Sequence, residues 1–146
     1  MMAIRITGLA HVNINVTDLE KSEKFYTELL GLKVSARAEG QIVWMNYGEY
    51  REDERQLAYH DIALYKVPHK VSPDYRKTAG MNHVAFRLAT PEDVDRAAVF
   101  LKENGVKILK GPDTHKEDLD HYLYLEDPDG NVIELVSNTG GGYKLK

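Results

Sequence analysis

The sequence predicts an α+β fold of two tandem βαβββ modules forming a cupped mixed sheet with helices on its outer face. Three observations carry that prediction. Gly8-Leu9-Ala10-His11-Val12-Asn13-Ile14-Asn15-Val16 lies over Gly80-Met81-Asn82-His83-Val84-Ala85-Phe86-Arg87-Leu88 at an offset of 72 residues, with glycine, histidine and valine coinciding. A helix-start signal follows each stretch, and three runs of strand character follow each helix. A repeat this long points to a doubled half-domain, not a solenoid.

In the first strand Ala10, Val12, Ile14 and Val16 form one apolar face suited to lie under a helix, and His11, Asn13 and Asn15 face the other way. Thr17-Asp18-Leu19-Glu20 reads as a capping box opening a helix that stops at Gly31. Strands are expected near 33–38, 41–47 and 58–66. The second half repeats the plan. Val84, Phe86 and Leu88 oppose His83, Ala85 and Arg87, and Thr90-Pro91-Glu92-Asp93 opens a helix with apolar Val94, Ala97, Ala98 and Leu101 that stops at Asn104-Gly105. Strands near 106–110, 120–126 and 132–137 complete it, the last placing Val132, Glu134 and Val136 on the inner face. The 146 residues read as one domain: module one over 6–66, a linker over 67–80, module two over 81–138 and a tail over 139–146. That tail reads as simple disorder or a flap over the cavity mouth.

Composition narrows the function. An apolar content of 42% supports a packed core, while a net charge of −4 with scattered basic residues argues against nucleic acid. No apolar run approaches the roughly 20 residues that span a bilayer, and the first residues lack a signal-peptide pattern, so a soluble, cytoplasmic protein is expected. The absence of cysteine excludes disulfides and thiol nucleophiles and leaves histidine and carboxylate as metal ligands. His11, His83 and Glu134 then form the candidate metal site. Each histidine alone is most simply a hydrogen-bonded strand residue, but their recurrence at matching places beside an inner-face glutamate favours ligation. Two imidazoles and a carboxylate on one side of a metal leave open positions, as in non-haem Fe(II) enzymes; Mn, Co, Ni or Zn suits the same ligands.

These features resemble the vicinal oxygen chelate superfamily, which includes glyoxalase I, extradiol dioxygenases, fosfomycin-resistance proteins, methylmalonyl-CoA epimerase and bleomycin-binding proteins. The resemblance covers about residues 6–138 and rests on the paired modules, Gly-Leu-Ala-His-Val at 8–12, Asn-His-Val-Ala-Phe at 82–86 and Asp-Pro-Asp-Gly-Asn-Val-Ile-Glu-Leu at 127–135. Glyoxalase I and the epimerase take a fourth ligand from the last strand of the first module. Aligning 61–65 with 131–135 puts Leu64 there, which leaves a triad, although a register shift would bring in His60.

His115, Tyr124 and Glu134 are spaced as in the extradiol signature, with Asp113 departing from it two places before the histidine, and His69 stands where those enzymes place an acid-base histidine. Otherwise His69 and His115 read as solvated loop residues, Tyr124, Trp44, Met45 and Tyr47 as core or cavity wall, His121 and Tyr122 as strand packing or cavity rim, and residues 20–24 as a solvated helix face. The resemblance therefore implies an Fe(II) enzyme that opens a catechol-like ring with O2. In it His69 handles a proton, and His115 and Tyr124 hold substrate oxygens. The alternatives are a metal-dependent lyase or transferase of the glyoxalase or fosfomycin-resistance kind, or a metal-free ligand binder. Exposed edge strands lead us to expect a homodimer.

Overall fold

The computed structural model describes residues 4–48 and 60–139. The chain divides into two compact units, Met1–His69 and Lys70–Lys146, each with its own four-stranded mixed sheet. Module one contains β1 (Val12–Val16), α1 (Leu19–Lys24) with a π-helical continuation (Phe25–Leu29), β2 (Lys33–Ala38), β3 (Ile42–Asn46) and β4 (Ile62–Lys66), in the sheet order β1-β4-β3-β2. Module two repeats this with β5 (Val84–Arg87), α2 (Pro91–Glu103), β6 (Ile108–Thr114), β7 (Asp120–Glu126) and β8 (Val132–Asn138), in the order β5-β8-β7-β6. Residues 58 and 59 of the expected run 58–66, and the tail beyond 139, lie outside the described residues.

Two helix starts show how local chemistry sets the elements. The expected box on Thr17 gives way to Asp18, one residue later, whose carboxylate accepts from the Lys21 amide at 3.0 Å. A carboxylate reaches the first-turn amides as well as a hydroxyl does, and Lys21 at the third position cannot reciprocate as glutamate would. In the expected solvated face, Lys24 and Glu20 pair at 2.9 Å, but Ser22 between them is fully buried beside Phe25 and Tyr26. In module two the box forms as read: Thr90 Oγ1 accepts from the Asp93 amide at 3.2 Å, and Asp93 Oδ2 accepts from the Thr90 amide at 3.1 Å, with Pro91 in the first turn. Thr90→Ala is expected to cost about 1 kcal/mol, read as a lowered midpoint in urea unfolding with an unchanged m-value.

Burial follows the period-2 pattern. On the helix-facing side of module one, Ile14, Val16, Met45, Ile62 and Leu64 are buried; in module two Leu123, Leu125 and Ile133 pack with Val94 and Leu101 of α2. Each such aliphatic side chain contributes roughly 1.5–3 kcal/mol. The opposite sheet faces are therefore free to carry polar chemistry.

Two expectations about strands are corrected. β6 continues through Gly111-Pro112-Asp113-Thr114, which reads as loop because glycine and proline punctuate it. Proline is tolerated because β6 is the edge strand, where one side of the backbone needs no ladder partner. The second concerns the module-one position matching Glu134. Val12 pairs with Ile62 as its counterpart Val84 pairs with Ile133, and Asn13 pairs with Ala63 as Ala85 pairs with Glu134. The antiparallel neighbours agree, since Trp44 faces Ala63 as Tyr124 faces Glu134. Ala63, not Leu64, occupies the matching place, and Leu64 belongs to the buried helix-facing side.

Candidate active site

The inner face of module two gathers most of the residues singled out in the sequence. Glu134 is delivered by the turn before β8, which Asp127 organises: its Oδ1 accepts from the Asp129 and Asn131 amides at 2.9 and 2.8 Å, and Gly130 adopts a φ of +91°. That positive φ is open to glycine at little cost. Pairing with Ala85 and Tyr124 then turns the Glu134 side chain to the inner face, where the residue is only 7% exposed.

Glu134 Oε2 lies 2.9 Å from His83 Nε2. His83 Nδ1 lies 2.7 Å from Asn82 Oδ1, which also receives Nε and Nη2 of Arg76 at 3.1 and 2.8 Å. Arg76 can only donate, so that oxygen is an acceptor and His83 Nδ1 must carry its hydrogen. In the neutral ring Nε2 then presents a lone pair to a carboxylate. A proton or a metal ion has to stand between them. An imidazole that donates its far N–H to a fixed acceptor, with its near nitrogen beside a buried carboxylate, is how ligating histidines are held. The donor set of His83 and Glu134 thus fits a divalent cation.

An aromatic wall continues from this pair. The Tyr124 ring stands edge-on to His83 with centroids 5.1 Å apart, and Tyr124 pairs with Glu134 across β7 and β8. Burial first, then the neighbouring Glu134 carboxylate, raises the Tyr124 phenol above its ordinary value, so it is a neutral donor at physiological pH. Tyr122, almost completely buried, lies 5.4 Å from Tyr124, and the His115 ring stacks on Tyr122 at 3.9 Å. His115 is held at the base of the β6–β7 hairpin, its amide donating to Asp120 O at 2.9 Å. It is half-buried, not the open loop residue its neighbours suggest. Alternation sends His121 to the other face, where Nε2 meets Asp95 of α2 at 2.7 Å and Nδ1 meets Thr114 Oγ1 at 2.8 Å.

Module one carries the remaining candidates. His11 is exposed just before β1, its ring 4.5 Å from that of His60, which in turn lies 6.4 Å from Trp44. Of the residues expected in core or cavity wall, Met45 is fully buried and Tyr47 is exposed. His69 is exposed in the turn after β4. Within neither module do three described His, Asp or Glu side chains gather around one point. Sequence reasoning missed Arg76 and Asn82, which act through hydrogen bonds no local pattern encodes. It left Tyr122 among packing and rim residues, although its parity with Tyr124 places both on one face.

Tandem βαβββ modules, one of which sets an imidazole and a carboxylate on an aromatic-walled sheet face, define a domain of the vicinal oxygen chelate type. The chain belongs to the glyoxalase/bleomycin resistance protein/dioxygenase superfamily, whose family model matches residues 8–135. It is similar to a probable lactoylglutathione lyase of Synechocystis, 27% identical over 90% of this chain and 95% of that protein. A metallothiol transferase FosB of Staphylococcus epidermidis is 31% identical over 93% of this chain and 85% of its own length. A catechol-2,3-dioxygenase of Bacillus subtilis is 27% identical over 90% of this chain, which spans 42% of that larger protein. The dioxygenases, lyases and transferases of the superfamily are enzymes that bind divalent metals and act on small molecules, and these relatives divide among those three kinds. No described helix is long and apolar enough to cross a membrane.

Proposed function

We propose that this protein is a metal-dependent extradiol-type dioxygenase that opens the ring of a catechol-like substrate with O2. His11, His83 and Glu134 hold Fe(II), and a homodimer in the cytoplasm is the expected working state. The observation that supports this most is the continuous set His115–Tyr122–Tyr124–His83–Glu134 on one sheet face. Ala63, with no ligating atom at the position matching Glu134, favours three protein ligands over the four that the lyase resemblance implies. Iron, when bound, supplies the centre at which a deprotonated catechol and O2 exchange electrons. The chain's own residues do the rest.

Tyr124 keeps its proton and offers it as a hydrogen bond to a substrate oxygen beside Glu134. The flat pair of Tyr122 and His115 gives an aromatic ring a wall and excludes water from one side of it. His69 is assigned proton transfer to and from the substrate, a role for an accessible imidazole.

Anaerobic loading with Fe(II), followed by a catechol panel and O2, should give a yellow ring-opened product with one O2 consumed per product. A metal-dependent lyase or thiol transferase would bind Mn(II), Ni(II) or Zn(II) and show no oxygen uptake, and that result would sink the dioxygenase reading. His69→Ala should retain iron while losing about 10²-fold or more in turnover, as removal of a general acid–base does. Equal turnover in that variant would remove His69 from the mechanism.

A further inference from the structure

A cavity of about 540 Å³ lies on module two under the turn Tyr75–Lys77, lined among others by Lys70, Tyr75, Arg76, Lys107, Glu126 and Val132. Glu126 pairs with Val132 across β7 and β8, two residues along from the pair Tyr124 and Glu134. Side chains two apart on a strand share a face, so this cavity opens along the face that carries the candidate site. The turn is tied down from both sides: the Tyr75 hydroxyl accepts from the Val132 amide at 2.8 Å and donates to Asn82 O at 3.2 Å.

The cavity's cations are not equivalent. Lys77 pairs with Asp74 at 2.9 Å and Lys107 with Glu126 at 3.2 Å. Lys70 donates to Pro128 O at 3.2 Å. Arg76 is held differently: Nε and Nη2 both donate to the neutral amide oxygen of Asn82, and its guanidinium carbon lies 5.8 Å from the Tyr124 ring centroid. Its charge is therefore positioned by an uncharged group and an aromatic face. A guanidinium has two edges that each present parallel N–H groups, and Asn82 occupies only the Nε–Nη2 side. The Nη1–Nη2 edge retains the fork that matches a carboxylate.

We propose that Arg76 is a specificity-determining residue that grips a carboxylate on the substrate's aromatic ring, so that the substrates are acidic catechols and not neutral ones. The inference rests on the dioxygenase reading for the word catechol, but the carboxylate subsite stands on Arg76, Asn82 and Tyr124 alone. The same Asn82 oxygen holds Arg76 and His83, so the anion grip and the ligating imidazole are fixed to one atom. That sets the spacing between a ring's charged arm and its reacting edge. An aldehyde or thiol substrate without an acid group would leave this edge unused.

Benzoate and its neutral isostere benzamide, titrated into the full-length metal-free protein by calorimetry and amide NMR, test the subsite without any turnover. Benzoate should bind about tenfold tighter than benzamide, the effect of one charge-assisted bidentate contact. Arg76→Gln should abolish the preference with benzamide affinity unchanged, and Arg76→Lys should retain part of it. Equal binding in the parent, or a benzoate preference that survives Arg76→Gln, overturns the proposal. With iron loaded, 3,4-dihydroxybenzoate should exceed catechol in kcat/KM, and Arg76→Gln should erase that difference mainly through KM. A benzoate preference that depends on Arg76, in a protein that cleaves no catechol, refutes the dioxygenase reading and supports the subsite.

Discussion

Glu134→Ala is expected to leave the protein unable to retain a divalent metal, with an affinity loss well beyond the about 10–100-fold that removal of an outer hydrogen-bond partner costs a metal site. Glu134 is the carboxylate of the proposed ligand set, the partner of His83 Nε2 and the cross-strand neighbour of Tyr124. Its removal strips the metal of a charged ligand and leaves polar groups on this face without their carboxylate, costing about 1–3 kcal/mol of fold stability for each group that water cannot reach. Glu134→Gln separates the two effects. It restores much of the packing and hydrogen bonding but not the charge, so it should recover stability without recovering metal. Asn82→Ala provides the contrast, since it frees the His83 ring without deleting a ligand and should fall within the 10–100-fold range. Metal content after anaerobic Fe(II) loading and gel filtration, with thermal unfolding in parallel, reads all three. Full metal retention by Glu134→Ala would remove it from the ligand set.

The sequence made legible those features that depend on local chemistry. Period-2 alternation put His83 and Glu134 on one face, the turn at 127–130 announced the strand bearing Glu134, and Thr90-Pro91 announced α2. Each is a short-range physical rule that tertiary packing did not override. Features set between distant strands were not legible. Alternation cannot tell Ala63 from Leu64 as the counterpart of Glu134, because a one-residue slip changes every facing and only the pairing of β1, β4 and β3 decides it. The extent of β6 was hidden for another reason: glycine and proline are read as breakers, yet an edge strand admits both. Arg76 lacked any signal, and Asn82 stood in a motif that gave it no role; both are polar residues whose roles arise once the Tyr75 turn is tied to β8.

Gly111→Ala is expected to destabilise the protein by roughly 3 kcal/mol, combining the cost of a side chain at positive φ with overpacking. Gly111 adopts a φ of +89°, and a Cβ there would sit 2.5 Å from the Tyr122 carbonyl oxygen and 3.3 Å from both the Asp113 nitrogen and the Leu123 Cα. All three are backbone atoms, so no rotamer change relieves the contact. β6 must move away from β7, and the movement begins at Tyr122, whose ring carries the stacked His115 and neighbours Tyr124. At about 2–4 °C per kcal/mol for a chain of this size, the melting temperature should fall by about 10 °C. The functional consequence should be selective. Glu134 is held by the Asp127 turn before β8 and His83 by Asn82, so metal retention should persist below the transition while turnover declines through the displaced aromatic wall. An unchanged melting temperature would show that β6 absorbs the methyl group. Loss of metal in a folded variant would show that the wall and the ligands are coupled more tightly than their separate anchors imply.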